Sequence, residues 1–236
     1  MKILIGIIVV VAAIFAFMQI GGSNEKAVDD TAAPETAEAV MTDDLAKVDD
    51  DNEVSEVETG VYEIDTTSSV VNWAGQKPLI EGYVNTGSIA LKSGSVEITE
   101  ESLSGELVID MTTLSVSETP TKPGSENALE SHLKGERWFD VETYGEATFV
   151  ITDATLQSAG TYEVTGDLTM KGETNPVTFP VQVVEGENGQ VVAEADFEID
   201  RTKWGITAGS GSFFDNLADN VVDDMVAMSF SLVANR

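Results

Sequence analysis

The sequence predicts an all-β fold for residues 61–236, and two observations support this prediction. Beyond Gly60, apolar and polar side chains alternate with the period of two that is typical of strands with one wet face. Turn-forming residues separate most of these runs at short intervals. Eight or more short strands at this spacing form a sandwich or a barrel, and periodicity alone does not choose between them.

Alternation is clearest in Val191–Asp200, where the apolar set faces one side and an acidic set faces the other. The predicted strands are 61–65, 69–73, 82–91, 95–99, 103–111, 147–153, 161–170, 177–184, 191–200 and 225–234. The main predicted turns are 92–94, 171–173 and 186–189. The spacing of apolar residues in 127–133 predicts one short helix.

Composition excludes several classes of function. The chain has 42 acidic against 12 basic residues, a net charge of -30, and the 29 acids and 9 bases from Val61 onward make the folded domain acidic as well. The negative electrostatic field of such a domain repels phosphate backbones, so we expect no nucleic-acid partner. The absence of cysteine excludes disulfides, thiolate nucleophiles and Cys-ligated metals, and a single histidine excludes a His-pair metal site within one chain.

The first 60 residues read as two segments that precede the domain. Residues 1–22 contain an almost unbroken apolar run from Ile3 to Met18 behind Lys2, which predicts an export signal or a membrane anchor. No clean small-x-small cleavage site follows it. Residues 23–60 are acidic and poor in large apolar side chains, so they are predicted to be a disordered linker. The domain is therefore expected to be exported: periplasmic, membrane-anchored or secreted, with the inner membrane as a partner if the segment is retained.

Four motifs in the second half of the domain, and its opening, point to one family. They are HLKGERWFDVE at 132–142, GDLTMKG at 166–172, FEIDRTKWGI at 197–206, DNVVDD at 219–224, and YEID at 62–65. In this order they resemble the YceI-like family across nearly all of 61–236. The resemblance implies an extended, lipocalin-like antiparallel β-barrel of about eight strands with a short helix. It also implies an elongated apolar pore that holds polyisoprenoid chains, isoprenoid quinones among them, and no settled enzymatic activity.

We therefore expect the domain to bind, sequester or transport an isoprenoid or other long-chain amphiphilic lipid in the periplasm. Aromatic and apolar residues of the strands, with the lone histidine, are the candidate ligand-binding set. It comprises Trp73, Tyr83, Leu107, Ile109, Met111, Phe139, Phe149, Leu168, Met170, Phe179, Phe197, Trp204, Phe230 and His132. Small inward residues such as Gly166, Ala193 and Ala195 would leave room for the chain.

Other interpretations remain open. No catalytic residues, metal site or cofactor are predicted apart from a bound isoprenoid quinone or polyisoprenoid lipid, yet His132 could act as an acid-base group in a hydrolase or enzyme-accessory domain. A structural surface domain with a solid interior is the third alternative, and a homodimer is allowed. Asp200 and Arg201 are expected to form a structural ion pair, and Asp219, Asp223 and Asp224 are weak candidates for Ca²⁺ ligands.

Overall fold

A computed structural model describes residues 57–236, and most of these residues lie in strands. The strands of this range are β1 (Gly60–Ile64), β2 (Val70–Gln76), β3 (Val84–Ile98), β4 (Leu103–Glu118), β5 (Glu146–Ser158), β6 (Thr161–Met170), β7 (Glu173–Glu185), β8 (Val191–Asp200) and β9 (Met225–Asn235). Helix α1 (Glu126–Lys134) lies between β4 and β5. The predicted apolar segment 1–22 and nearly all of the predicted linker lie outside the described residues. No helix within residues 57–236 is long and apolar enough to cross a membrane.

The strands close into a barrel with eight positions, because β1 and β2 share one of them. Both pair antiparallel with β3 on one side and with β9 on the other. The strands from β3 to β9 then follow in chain order, each antiparallel to the next. Each strand position therefore has a partner on both sides, although β7 and β8 pair with each other only through Gln182–Glu185 and Val191–Glu194. The predicted antiparallel barrel of about eight strands with one short helix is confirmed.

Two predicted turns had different outcomes. The β6–β7 turn is confirmed: Lys171 and Gly172 have φ values of 52° and 81°, the positive pair that a type I′ hairpin turn needs. The turn at 92–94 is wrong, because β3 runs through it as one strand whose register with β4 shifts at bulges. A Cβ on Gly94 would lie 2.7 Å from a methyl of Leu107, so this glycine allows close packing rather than chain reversal.

The antiparallel order places alternate connections at opposite ends of the barrel. We call one the mouth end: it carries residues 77–83, the segment 119–145 with α1, the β6–β7 turn and the segment 201–224. The other, the far end, carries the short connections 99–102, 159–160 and 186–190. The interior contains two hydrophobic clusters, one centred on Phe149 and Phe179 and the other on Met111 and Trp204.

Candidate functional site

The mouth half of the barrel encloses a cavity of about 700 Å³ with largely apolar walls. This volume is within the usual range for small-molecule sites. Eight of the predicted ligand-binding residues line it: Trp73, Tyr83, Ile109, Met111, His132, Phe139, Leu168 and Met170. They come from strands on different sides of the barrel, from the β2–β3 connection, from α1 and from the loop after it. Barrel closure is what brings them together.

The far half of the barrel is nearly filled. A small cavity of about 60 Å³ remains there, and four other predicted residues line it: Leu107, Phe149, Phe179 and Phe230. Phe179 lies at the centre, stacked on Phe197 with ring centroids 4.0 Å apart and in contact with Phe149 and Phe230 at 5.5 and 5.9 Å. The hollow interior expected from the sequence is therefore present in one half only.

The structure places the last two predicted residues apart from both cavity walls. Phe197 packs against both hydrophobic clusters and stands between the two halves. Trp204 is only 1 % exposed, and its indole N–H donates to the carbonyl oxygen of Leu168 at 2.9 Å. Because that bond fixes the ring behind the wall, Trp204 supports the cavity without lining it.

A glycine sets the position of one large aromatic in each half. The Trp73 ring lies over Gly87, where an added Cβ would come within 2.6 Å of it, and its N–H donates to the carbonyl oxygen of Ser115 at 3.2 Å. The Phe149 ring lies over Gly166 in the same way, with a Cβ distance of 2.3 Å. The first ring is thus held against the wall, whereas the second belongs to the central cluster of rings.

The segment 135–145 and α1 extend the wall of the mouth half. Trp138, which was not among the predicted residues, lines the cavity beside Leu133, the buried residue of α1. Lys171 fixes this segment: its Nζ donates to the carbonyl oxygens of Glu136 and Trp138 at 3.0 and 2.5 Å. The motif at 132–142 contains both Leu133 and Trp138, so it was the feature of the sequence that pointed to this part of the cavity wall.

Arg201 also lines the cavity, whereas the sequence predicted only a structural ion pair for it. It is 3 % exposed, and its guanidinium donates to the carbonyl oxygens of Ile206, Val222 and Asp223 and lies 5.3 Å from the Trp138 ring. Its carboxylate partner is Asp224, at 3.4 Å. The predicted pairing with Asp200 is therefore wrong, because an Asp200 oxygen instead caps the next turn by accepting from the Thr202 N–H and hydroxyl.

Burial and charge act against each other in this pair. Burial lowers the pKa of Arg201, and the nearby Asp224, Asp200 and Asp223 oppose that change. Burial also acts to raise the pKa of Asp224, but hydrogen bonds from Ser210 and Ser212 and the charge of Arg201 hold that pKa below its ordinary value. The carboxylate thus stays ionised and connects Arg201, Ser210 and Ser212 within segment 201–224.

The described residues contain no cluster of His, Asp or Glu suited to a metal ion. Asp223 accepts from Gln76 and from the Met225 N–H, so its two oxygens are engaged. His132 is exposed at the mouth and contacts the Trp138 ring edge-on, with centroids 5.9 Å apart. Between residues 57 and 236 its imidazole has no hydrogen-bond partner.

A closed antiparallel barrel with an apolar cavity open at one end defines a lipocalin-like binding barrel, a class whose fold supports lipid binding in general. The chain belongs to the YceI-like family, whose domain model matches residues 62–234.

Solved structures and curated relatives agree with this assignment. Burkholderia cenocepacia BcnA is 26% identical, with a TM-score of 0.57 over 73% of this chain and 99% of that one. A polyisoprenoid binding domain from Saccharophagus degradans, 18% identical over 75% of this chain and 99% of its own, has the same fold with a TM-score of 0.53. A UPF0312 protein of Pseudomonas putida (strain GB-1) is 46% identical over 50 residues, 21% of this chain. That match spans only 26% of the relative.

Proposed function

We propose that this protein binds the apolar chain of an isoprenoid or similar long-chain amphiphilic lipid in the mouth half of its barrel and carries it outside the cytoplasm. The observation that carries the proposal is the apolar cavity of about 700 Å³ enclosed by the barrel. The Saccharophagus degradans domain has the same fold and is named a polyisoprenoid binding domain. This supports a polyisoprenoid as the ligand.

The cavity walls suit a flexible chain. Burial of apolar surface contributes roughly 25 cal/mol per Å² before the cost of ordering the chain is subtracted. Met111, Met170 and Met228 line the cavity, and their unbranched, polarizable side chains adapt to irregular guests. Because the far half is filled by Phe179 and its neighbours, the chain enters from the mouth and its tail stops against these rings.

The proposed location follows from the start of the sequence. The apolar run in residues 1–22 is typical of an export signal or anchor, and the acidic linker after it would give the domain reach. A carrier near the inner membrane of the periplasm would exchange lipid without catalysing a reaction. Intact-mass measurement of the native protein would show whether the segment is retained.

A pair of neighbouring substitutions tests lipid binding. Ile109 lines the cavity, whereas Val108, the preceding residue of β4, is not among its lining residues. Ile109→Trp should narrow the cavity and reduce the amount of lipid in organic extracts of the purified protein, as measured by mass spectrometry. Val108→Trp is the matched control and should keep the wild-type lipid. A wild-type protein that neither retains lipid nor takes up a polyisoprenoid from vesicles would refute the proposal.

A further inference from the structure

Two consecutive phenylalanines are exposed to solvent at the mouth end. Phe213 and Phe214 are 57% and 48% exposed, and they are the only exposed phenylalanines among residues 57–236. Ala208 and Leu217, which precede and follow them in the chain, line the cavity. The pair therefore lies beside the opening of the barrel, outside the cavity itself. Adjacent exposed apolar side chains of this size are typical of a surface that meets a partner.

The turn that carries these two rings is fixed by hydrogen bonds. The carbonyl oxygen of Ser210 accepts from the N–H groups of Phe213 and Phe214 at 3.3 and 3.1 Å. Ser210 is fully buried, and the Ser212 hydroxyl donates to the Asp224 carboxylate at 2.7 Å. These contacts hold the backbone of the turn in the arrangement that leaves both rings exposed.

A third exposed apolar side chain lies on the neighbouring connection. Leu79, which is 62% exposed, belongs to the connection between β2 and β3. This connection is bonded to segment 201–224, because the Lys77 Nζ donates to the Asn220 side-chain oxygen at 3.4 Å. The exposed leucine and the phenylalanine pair thus belong to neighbouring parts of the mouth end. We call them the apolar rim: Leu79, Phe213 and Phe214.

Charge is distributed unevenly between the mouth end and the rest of the barrel. From Val61 onward the domain has 29 acids and 9 bases. Seven of these bases, all except Lys92 and Arg236, lie in the mouth-end connections, together with only ten of the acids. Lys92 and Arg236 are both paired with carboxylates. A negatively charged surface therefore repels the strands and the far end strongly and the mouth end least.

We propose that the mouth end docks on the surface of a lipid bilayer, with the apolar rim entering the boundary between headgroups and acyl chains. Exposed phenylalanine and leucine side chains gain free energy from burial at that depth. A bilayer that contains anionic lipid fits both observations, since it has a negative surface above an apolar interior. The apolar rim lies outside the cavity, so this inference goes beyond the proposed function and does not depend on which ligand the cavity holds.

The test uses the full chain, which contains no cysteine, so that a single introduced cysteine can carry an environment-sensitive fluorophore. Asp215→Cys places a nitrobenzoxadiazole label beside the phenylalanine pair. Glu187→Cys places the label on an exposed residue of the far end with the same change of charge. With vesicles of equal parts phosphatidylcholine and phosphatidylglycerol, we expect the emission to rise and shift to the blue at position 215 and to stay unchanged at position 187. This readout is local, so it holds whether or not residues 1–22 also attach the protein to the membrane.

A pair of double variants tests the role of the rings in the protein labelled at position 215. Phe213→Ser/Phe214→Ser should abolish the response to vesicles. Val150→Ser/Leu156→Ser, at two exposed apolar residues of β5, is the matched control and should keep the response. Melting temperatures of both variants show that the fold is intact before the responses are compared.

Other outcomes would overturn docking by the mouth end. These are an absent response at position 215, an equal response at position 187, and a response that survives the loss of both phenylalanines. Emission that rises without vesicles as the protein concentration increases would assign the apolar rim to a second copy of the chain, which also contradicts the proposal. Lipid in organic extracts is measured separately, so failed docking with lipid retained would leave the proposed function intact.

Discussion

The two halves of this barrel are built from the same strands, yet one is hollow and the other is filled. In the far half, Phe179 contacts the rings of Phe149 and Phe230, and it stacks on Phe197 at the border between the halves. In the mouth half, the large rings are held outward: Trp73 lies over Gly87, and Trp204 is bonded to the Leu168 carbonyl. The positions at which large side chains are fixed therefore determine whether a small barrel contains a cavity.

The largest expected effect comes from opening the filled half. Phe179→Ala removes the central ring, so we expect a loss of about 3–5 kcal/mol in the free energy of unfolding. The same change should join the two cavities and admit longer chains than the wild type binds. Urea denaturation and a series of polyprenyl alcohols of increasing length measure the two effects. Phe213→Ala, at a ring that is 57% exposed, is the control and should change neither.

A smaller effect is expected from displacing a ring in the hollow half. A Cβ on Gly87 would lie 1.9 Å from the Ser115 carbonyl oxygen and 2.6 Å from the Trp73 ring. Gly87→Ala should therefore destabilise the fold by about 1–3 kcal/mol and weaken lipid binding as the ring moves. Gly75→Ala is the matched control, since its Cβ would meet only Trp73, at 3.9 Å. Equal effects in the two variants would contradict the positioning role of Gly87.

The stability that the Asp224 carboxylate contributes within segment 201–224 should depend on pH. The pKa of Asp224 is lowered in the folded protein, so its stabilising contribution is present above the pKa of an unfolded aspartate. That contribution is lost as the pH falls through the lowered value. Asp224→Asn should cost about 1–3 kcal/mol at neutral pH and less at acid pH. Melting temperatures from pH 7 to pH 2 measure this, with the exposed Asp215→Asn as control. A constant difference across that range would contradict it.

The smallest effect is expected at His132. Its imidazole is exposed at the mouth and has no hydrogen-bond partner among the described residues. His132→Ala should leave the amount and identity of co-purified lipid unchanged, as measured by mass spectrometry of extracts. If the variant instead retains an uncleaved lipid where the wild type contains the cleaved product, the hydrolase interpretation is supported.

Local patterns predicted the strands well, because alternation depends on neighbouring residues alone. The bounds of β6 and β8 coincide with the predicted ranges. The division of the interior could not be predicted in this way. Phe139 and Phe149 are the same type of residue and lie only ten positions apart, yet one lines the open cavity and the other the filled half. Only the three-dimensional packing of their neighbours distinguishes them.

Three basic residues that line the cavity were not predicted, for a similar reason. Lys77, Lys122 and Arg137 are widely separated in the chain and belong to no shared motif. They line the same cavity because alternate connections of an up-and-down barrel lie at the same end. The predicted turn at 92–94 failed because glycine and serine were taken as a chain reversal, whereas here they accommodate bulges in a long strand.

The shared barrel position of β1 and β2 has a consequence for folding. Most neighbouring strands are consecutive in the chain and pair as hairpins, but β1 and β2 must pair with β9, from the opposite end of the domain. The loop closed by this contact is the longest, and it carries the largest entropic cost. Assembly therefore finishes at this seam. Until β9 arrives, the strand edges on either side of it stay open to association with other chains.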